Sequence, residues 1–159
     1  MKWAILIFGV LVAGGFFTVK LSTKNGNDEY DEIFLREATA NGIDPKLLKA
    51  IAMNESGLKF NYTQLERIGG TTGILHIKLS TAQDYEPELT ATELSKPETQ
   101  IRVAAKHIKR LLSVFNGDSG KVVAAYNAGE GRIQQGIIPQ TTKEYLERFQ
   151  RNYKRVGVA

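Results

Sequence analysis

Cysteine is absent from all 159 residues, which excludes disulfides, thiolate metal sites, a cysteine nucleophile and lipidation of an N-terminal cysteine. No metal-ligand cluster, phosphate loop or dinucleotide fingerprint occurs either, so no metal and no cofactor is expected. Runs rich in strand-forming residues are few. Charge of one sign is not concentrated: the net charge is +4, three units of it beyond residue 29, and the basic residues are dispersed. That dispersal speaks against a nucleic-acid partner, as does the apolar start of the chain. What is present is ordinary for a folded chain. With 42% hydrophobic and 24% charged residues the sequence has enough aliphatic content for one core and too little charge for general disorder.

Residues 3–19, WAILIFGVLVAGGFFTV, carry no charge and lie between Lys2 and Lys20. At ~1.5 Å per residue such a helix reaches ~26 Å, just short of a ~30 Å hydrocarbon layer, so the flanking lysines would snorkel. Residues 1–20 therefore read as a transmembrane anchor or a signal segment, with small residues Val12 and Gly14 marking where cleavage would fall. Residues 21–28 are polar and contain Asn25-Gly26, which makes a flexible tether. A single domain is expected over residues 29–155.

Within it, apolar residues recur at helical spacing, and the fold class expected is all-α. Tyr30, Ile33, Phe34 and Ala38 share a face in a first helix from Asp28 to Asn41, stopped by Gly42. Asp44 caps a second helix with Pro45 at its first position, and Gly57 follows its end. The longest helix follows Pro97 and carries Ile101, Ala104, Ala105, Ile108, Leu111 and Leu112 before Asn116-Gly117. Asp118 or Ser119 opens a helix through Val122, Val123 and Tyr126 to Gly129. A last helix from Thr142 holds Tyr145, Leu146, Phe149 and Tyr153.

Leu48, Ile51, Ala52 and Glu55 occupy one stripe of the second helix, because positions three, four and seven apart lie on one face. A carboxyl pointing where leucines point is disfavoured in its charged form, and a retained proton is what a general acid needs. Spacing alone is weak evidence for Glu55, since a stripe glutamate near a helix end more often pairs with an arginine or looks out over a loop. For Tyr126 it leaves a core aromatic as open as a ring that hydrogen-bonds the carboxyl and stacks on a sugar.

Two further segments follow it in order: Asn54-Glu55-Ser56-Gly57 is followed by Gly73-Ile74-Leu75-His76-Ile77 with Thr81-Ala82, and then by Ala125-Tyr126-Asn127-Ala128-Gly129-Glu130-Gly131-Arg132. Pro97-Glu98 with Gln100-Ile101, and Ile138-Pro139 with Thr142 and Tyr145, complete the set. In order and spacing, over about residues 30–154, this resembles the soluble-type lytic transglycosylase family, which has a lysozyme-like fold.

The resemblance implies that Glu55 is the family's one catalytic carboxyl. It would first protonate the oxygen joining N-acetylmuramic acid to N-acetylglucosamine, then accept the proton of the muramic acid C6 hydroxyl as a 1,6-anhydro ring closes. It also implies substrate contacts from Ser56, Leu75, His76, Tyr126, Asn127 and Tyr145. The partners implied are peptidoglycan glycan strands, the membrane through residues 3–19, and the proteins of a virion or secretion complex, with the catalytic domain facing the cell wall; a cleaved leader would make the protein secreted. The chain departs from the family pattern at three places. His76 stands where an amide is usual, Leu79 where a proline is, and Thr141 where an acidic residue is. A lysozyme-type muramidase would need a second carboxylate, for which Glu66, Asp84 and Glu86 are available. A binding component without turnover is the reading from another class. His107, in the long helix, is expected at the surface or in the core.

Overall fold

The computed structural model describes residues 30–59 and 73–157, and every regular element among them is helical. Helix α1 (Asp31–Asn41) begins after Tyr30 with Asp31 and Glu32 in its first turn, where the positive end of the helix dipole favours acidic side chains. It stops at Gly42, whose φ of 67° is left-handed, and the Ile43 N–H returns to the Ala38 carbonyl at 3.0 Å. Helix α2 (Pro45–Ser56) has the cap read from sequence: the Asp44 side chain accepts from the Lys46 N–H at 2.9 Å. Leu47, Leu48, Ala50, Ile51 and Ala52 are all buried, so α2 is apolar on most of its circumference and occupies the centre of the fold. Burial of Leu48 and Ile51 contributes about 1.5–3 kcal/mol each.

Three short helices follow the site loop or join longer ones: α3 (Leu79–Gln83), α4 (Ala91–Leu94) and α7 (Glu130–Gln134). At four or five residues they are too short to show a period. A capping box nonetheless encodes α4, with Thr90 and Glu93 exchanging hydrogen bonds. Helix α5 (Pro97–Val114) packs on α1 and on α6 (Ser119–Ala128). Helix α8 (Gln140–Arg155) lies across α2 and α6. Two boundaries differ from expectation: α1 starts at Asp31, and α8 starts at Gln140, directly after Pro139, which is its N-cap.

A buried ion pair ties the ends of the domain to its centre. Lys49 of α2 is 4% exposed; its ammonium contacts Asp31 of α1 and donates to the Gly157 carbonyl at 2.8 Å. Among the described residues no helix is long and apolar enough to cross a membrane. The segments 1–20 and 21–28 lie outside the described residues.

Candidate active site

Glu55 sits in the last turn of α2, two residues before the stop at Gly57 (φ 68°). Its side chain is 14% exposed, neither in the core nor open to solvent, and each carboxyl oxygen has its own partner. The Tyr145 hydroxyl, from α8, donates to Oε1 at 2.5 Å, and His76 Nδ1 lies 3.1 Å from Oε2. Tyr145 is 4% exposed. Burial, and then the charge of Glu55, push its phenol well above the ordinary tyrosine range, so it remains a donor throughout the working pH range.

Residue 54 is placed by the same helix end. The Asn54 amide is buried and bolts α2 to α8: it donates to the Tyr145 carbonyl at 3.2 Å and accepts from Arg148 Nε at 2.9 Å and Asn152 Nδ2 at 3.0 Å. Tyr145 is thereby fixed against Glu55 through its backbone as well as its hydroxyl.

The strap of residues 73–77 is held by three helices at once. The Ser56 hydroxyl of α2 donates to the Ile74 carbonyl at 2.9 Å, the Tyr126 hydroxyl of α6 donates to the Leu75 carbonyl at 2.8 Å, and the Leu75 N–H donates to Gln100 Oε1 of α5 at 3.0 Å. Gln100 is 1% exposed and uses its other amide atom on the Leu94 carbonyl at 3.0 Å. At Gly73, φ is 103° and a Cβ would stand 2.0 Å from Gln100 Nε2, so only glycine lets the strap pass this amide. With its neighbours pinned, His76 adopts a φ of 47°, a left-handed conformation that costs a non-glycine residue about 1–3 kcal/mol and persists only where its surroundings over-determine it.

Behind the strap, Tyr126 stacks towards His107, their ring centroids 5.6 Å apart, and the Tyr85 hydroxyl meets His107 Nδ1 at 2.9 Å. Burial holds His107 below the usual histidine range, with Arg110 adding to the effect, which keeps the imidazole neutral at pH 7. Burial likewise raises the Tyr126 phenol far above its ordinary value, followed by the charges of Glu55 and Tyr145.

The structure thus brings Glu55, Ser56, His76, Tyr126 and Tyr145 together, with some roles changed from those expected. Leu75 is fully buried, and its side chain packs in the hydrophobic core. Ser56 and Tyr126 use their hydroxyls on the strap, and Tyr145 uses its own on Glu55. Asn127 remains exposed, its Oδ1 accepting from the buried Thr142 hydroxyl at 2.9 Å. Gln100 was legible as a polar residue on the face of Ala104, Ile108 and Leu111; nothing in sequence marked its bond to the strap.

The remaining carboxylates named from sequence are placed otherwise. Glu86 accepts from Arg102 at 2.9 and 2.7 Å and from Lys106 at 2.7 Å. These partners, Arg102 foremost, hold its carboxyl down at about 2. Asp84 is exposed, and Glu66 lies outside the described residues. Among the described residues no group of three or more His, Asp and Glu side chains gathers as a metal site would require.

The family model of the transglycosylase SLT domain matches residues 32–153. The chain belongs to that family. It is 34% identical over 113 residues to the peptidoglycan transglycosylase gp16 of Escherichia phage T7, an alignment covering 69% of this chain and 8% of the phage protein. Its fold superposes on an inactive variant of the lytic transglycosylase Slt of Pseudomonas aeruginosa with a TM-score of 0.68, at 24% identity, over 79% of this chain and 23% of that one. A 70-kDa soluble lytic transglycosylase in complex with bulgecin A gives 0.68 at 21% identity, over 80% of this chain and 24% of that chain. The SLT domain described here therefore spans a small part of each relative's length.

Proposed function

We propose that this SLT domain is a lytic transglycosylase of peptidoglycan, cleaving the β-1,4 bond between N-acetylmuramic acid and N-acetylglucosamine with Glu55 as its one acid and base. The observation that carries the proposal is the setting of that carboxyl: a mostly covered glutamate at a helix end, oriented by a permanently protonated phenol on one oxygen and an imidazole on the other. Membership of the SLT family supports the substrate class.

In the first step the Glu55 proton moves to the oxygen of the leaving N-acetylglucosamine as its bond to C1 of muramic acid breaks. In the second the carboxylate takes the proton of the C6 hydroxyl while O6 bonds to C1, so the enzyme ends with the proton it began with. The donor from Tyr145 stabilises the carboxylate between the two steps. Water takes no part. A hydrolytic route would ask a second carboxylate to activate water, and Glu86, engaged by two cations, is a poor base. Zymography on purified wall, followed by mass analysis of the released fragments, tests the reading: 1,6-anhydro ends from the native protein and none from Glu55→Gln support it, and reducing muramic acid ends refute it.

We further propose the domain layout 1–20 anchor or signal, 21–28 tether and 29–155 catalytic, with the catalytic part facing the cell wall from a membrane. Its task there would be local wall opening for a virus or a secretion apparatus. The uncharged run 3–19 and the likeness to a phage protein support this. An N-terminus near Gly15, found by mass spectrometry of the membrane-associated protein, would replace the anchor by a cleaved leader.

A further inference from the structure

We propose that the C-terminal half of α8 is a docking face for anionic phospholipid headgroups, which seats the domain against a membrane with the Glu55 site turned away from it. This rests on the reading of residues 3–19 as a membrane segment and adds a second contact to it.

Helix α8 carries five basic and two acidic side chains, all of them exposed. Together they amount to +3, the whole of the net charge beyond residue 29, so the other charges there balance. The acids, Glu144 and Glu147, lie in the first half of the helix, and the stretch from Arg148 to Arg155 holds four cations and no acid. Arg148 is engaged: it donates to Asn54 Oδ1 at 2.9 Å and lies over the Tyr145 ring. Arg151, Lys154 and Arg155 form no hydrogen bond or ion pair with another described residue. Spaced three and four apart, they share one face. A cation in the last turn favours the helix dipole, which accounts for Lys154 and Arg155. It does not account for Arg151, because like charges one turn apart, as Arg151 and Arg155 are, weaken a helix. Nor do the acids closest to this end supply a counter-charge. Asp31 is spent on Lys49, and Asp44 on the Lys46 N–H and on the Tyr153 hydroxyl at 2.7 Å.

The place of this face singles out its partner. The Lys49 ammonium contacts Asp31 and donates to the Gly157 carbonyl at 2.8 Å, so the chain enters α1 beside the point where α8 ends. Residues 21–30 separate the apolar run and its flanking Lys20 from α1, and ten residues reach no more than ~35 Å. A membrane holding the apolar run is thereby kept close to the cationic end of α8. Contact between the two becomes an intramolecular event, for which a weak attraction suffices. Each cation near an anionic lipid surface contributes roughly a fivefold attraction. Tyr145, which holds Glu55, precedes Arg155 by ten residues, or ~15 Å along the helix. The end that meets lipid is therefore the one away from the acid, and the site stays open towards the wall.

The chain has no cysteine, so a dye on one introduced cysteine reports a single place. Gln150, in the basic half of α8, and Gln140, at its start, are both exposed. Full chains bearing Gln150→Cys or Gln140→Cys are labelled and added to vesicles containing a headgroup-labelled acceptor lipid, and energy transfer is measured. In vesicles of phosphatidylcholine with phosphatidylglycerol, transfer is expected to be higher from position 150 than from position 140. That difference should be lost in pure phosphatidylcholine, in ~1 M salt, where the Debye length is ~3 Å, and on combining Arg151→Gln, Lys154→Gln and Arg155→Gln. Equal transfer from the two positions, or a difference indifferent to lipid charge, would overturn the proposal; both readings use the native basic face and need no variant of it to fold. The triple variant should release fragments from membrane-free peptidoglycan at the native rate, and a loss there would assign the face to the wall and overturn the proposal equally. Flotation of the full chain with pure phosphatidylcholine vesicles reads the membrane segment separately. If that flotation fails, residues 3–19 are no anchor, and the basic face is then judged by flotation with phosphatidylglycerol vesicles: its loss in the triple variant supports the face and its persistence refutes it.

Discussion

The two oxygens of Glu55 have different duties, and single substitutions separate them. Tyr145→Phe removes the 2.5 Å donor to Oε1 but keeps the ring in its buried seat. A hydrogen bond to a charged group is worth about 1.5–3 kcal/mol, so kcat is expected to fall roughly 10- to 100-fold with little change in thermal midpoint, measured by fragment release and calorimetry. Glu55→Gln should lose a factor of about 100 or more, the usual contribution of a general acid. That Glu55 is a candidate could be read from its place on an apolar stripe and from the motifs around it. Its partners could not: Tyr145 is 90 positions away, and a tyrosine on a helix face gives no sign of which carboxyl it will meet. His76 is expected as a sugar contact because it stands where the family has an amide; that its imidazole also lies 3.1 Å from Glu55 is visible only in the fold.

At the scale of elements the decisive object is the strap 73–77 and its three attachments. Gly73→Ala would drive a Cβ into the Gln100 amide at 2.0 Å, displacing the side chain that receives the Leu75 N–H. It is expected to cost about 1–3 kcal/mol by overpacking and to reduce activity beyond what the stability loss explains, since His76 loses its fixed backbone. Gln100→Ala should do the same to activity without the overpacking. The helices themselves were legible where caps and period coincide, as at Asp44-Pro45 and along α5. Helices α3, α4 and α7 escaped because four or five residues contain barely one turn. The burial of Leu75 is not legible for a related reason: with no period to read in the strap, inward and outward residues look alike.

Across the whole molecule, two ion-pair systems join distant segments. Lys49 connects α1 through Asp31 and the C-terminal Gly157 carbonyl to the central helix. Asp31→Asn leaves a buried ammonium without its counter-charge, and a loss of about 3–5 kcal/mol in urea denaturation is expected. Glu86, gripped by Arg102 and Lys106, has a folded pKa of about 2 against an ordinary 4.5. Its contribution to stability is therefore complete above about pH 4.5 and is lost as pH falls towards 2. Glu86→Gln should flatten that part of the stability profile, seen as a smaller drop in urea midpoint between pH 5 and pH 2.5. The all-helical fold was readable from the scarcity of strand signals and the helical period; the joining of both domain ends at Lys49 was not, because a lysine inside an apolar helix reads as a surface residue. The proposal that one carboxyl performs cleavage without water is tested most directly by digesting purified peptidoglycan in water enriched in heavy oxygen. The account predicts 1,6-anhydro fragments carrying no label from solvent, and labelled reducing ends would contradict it.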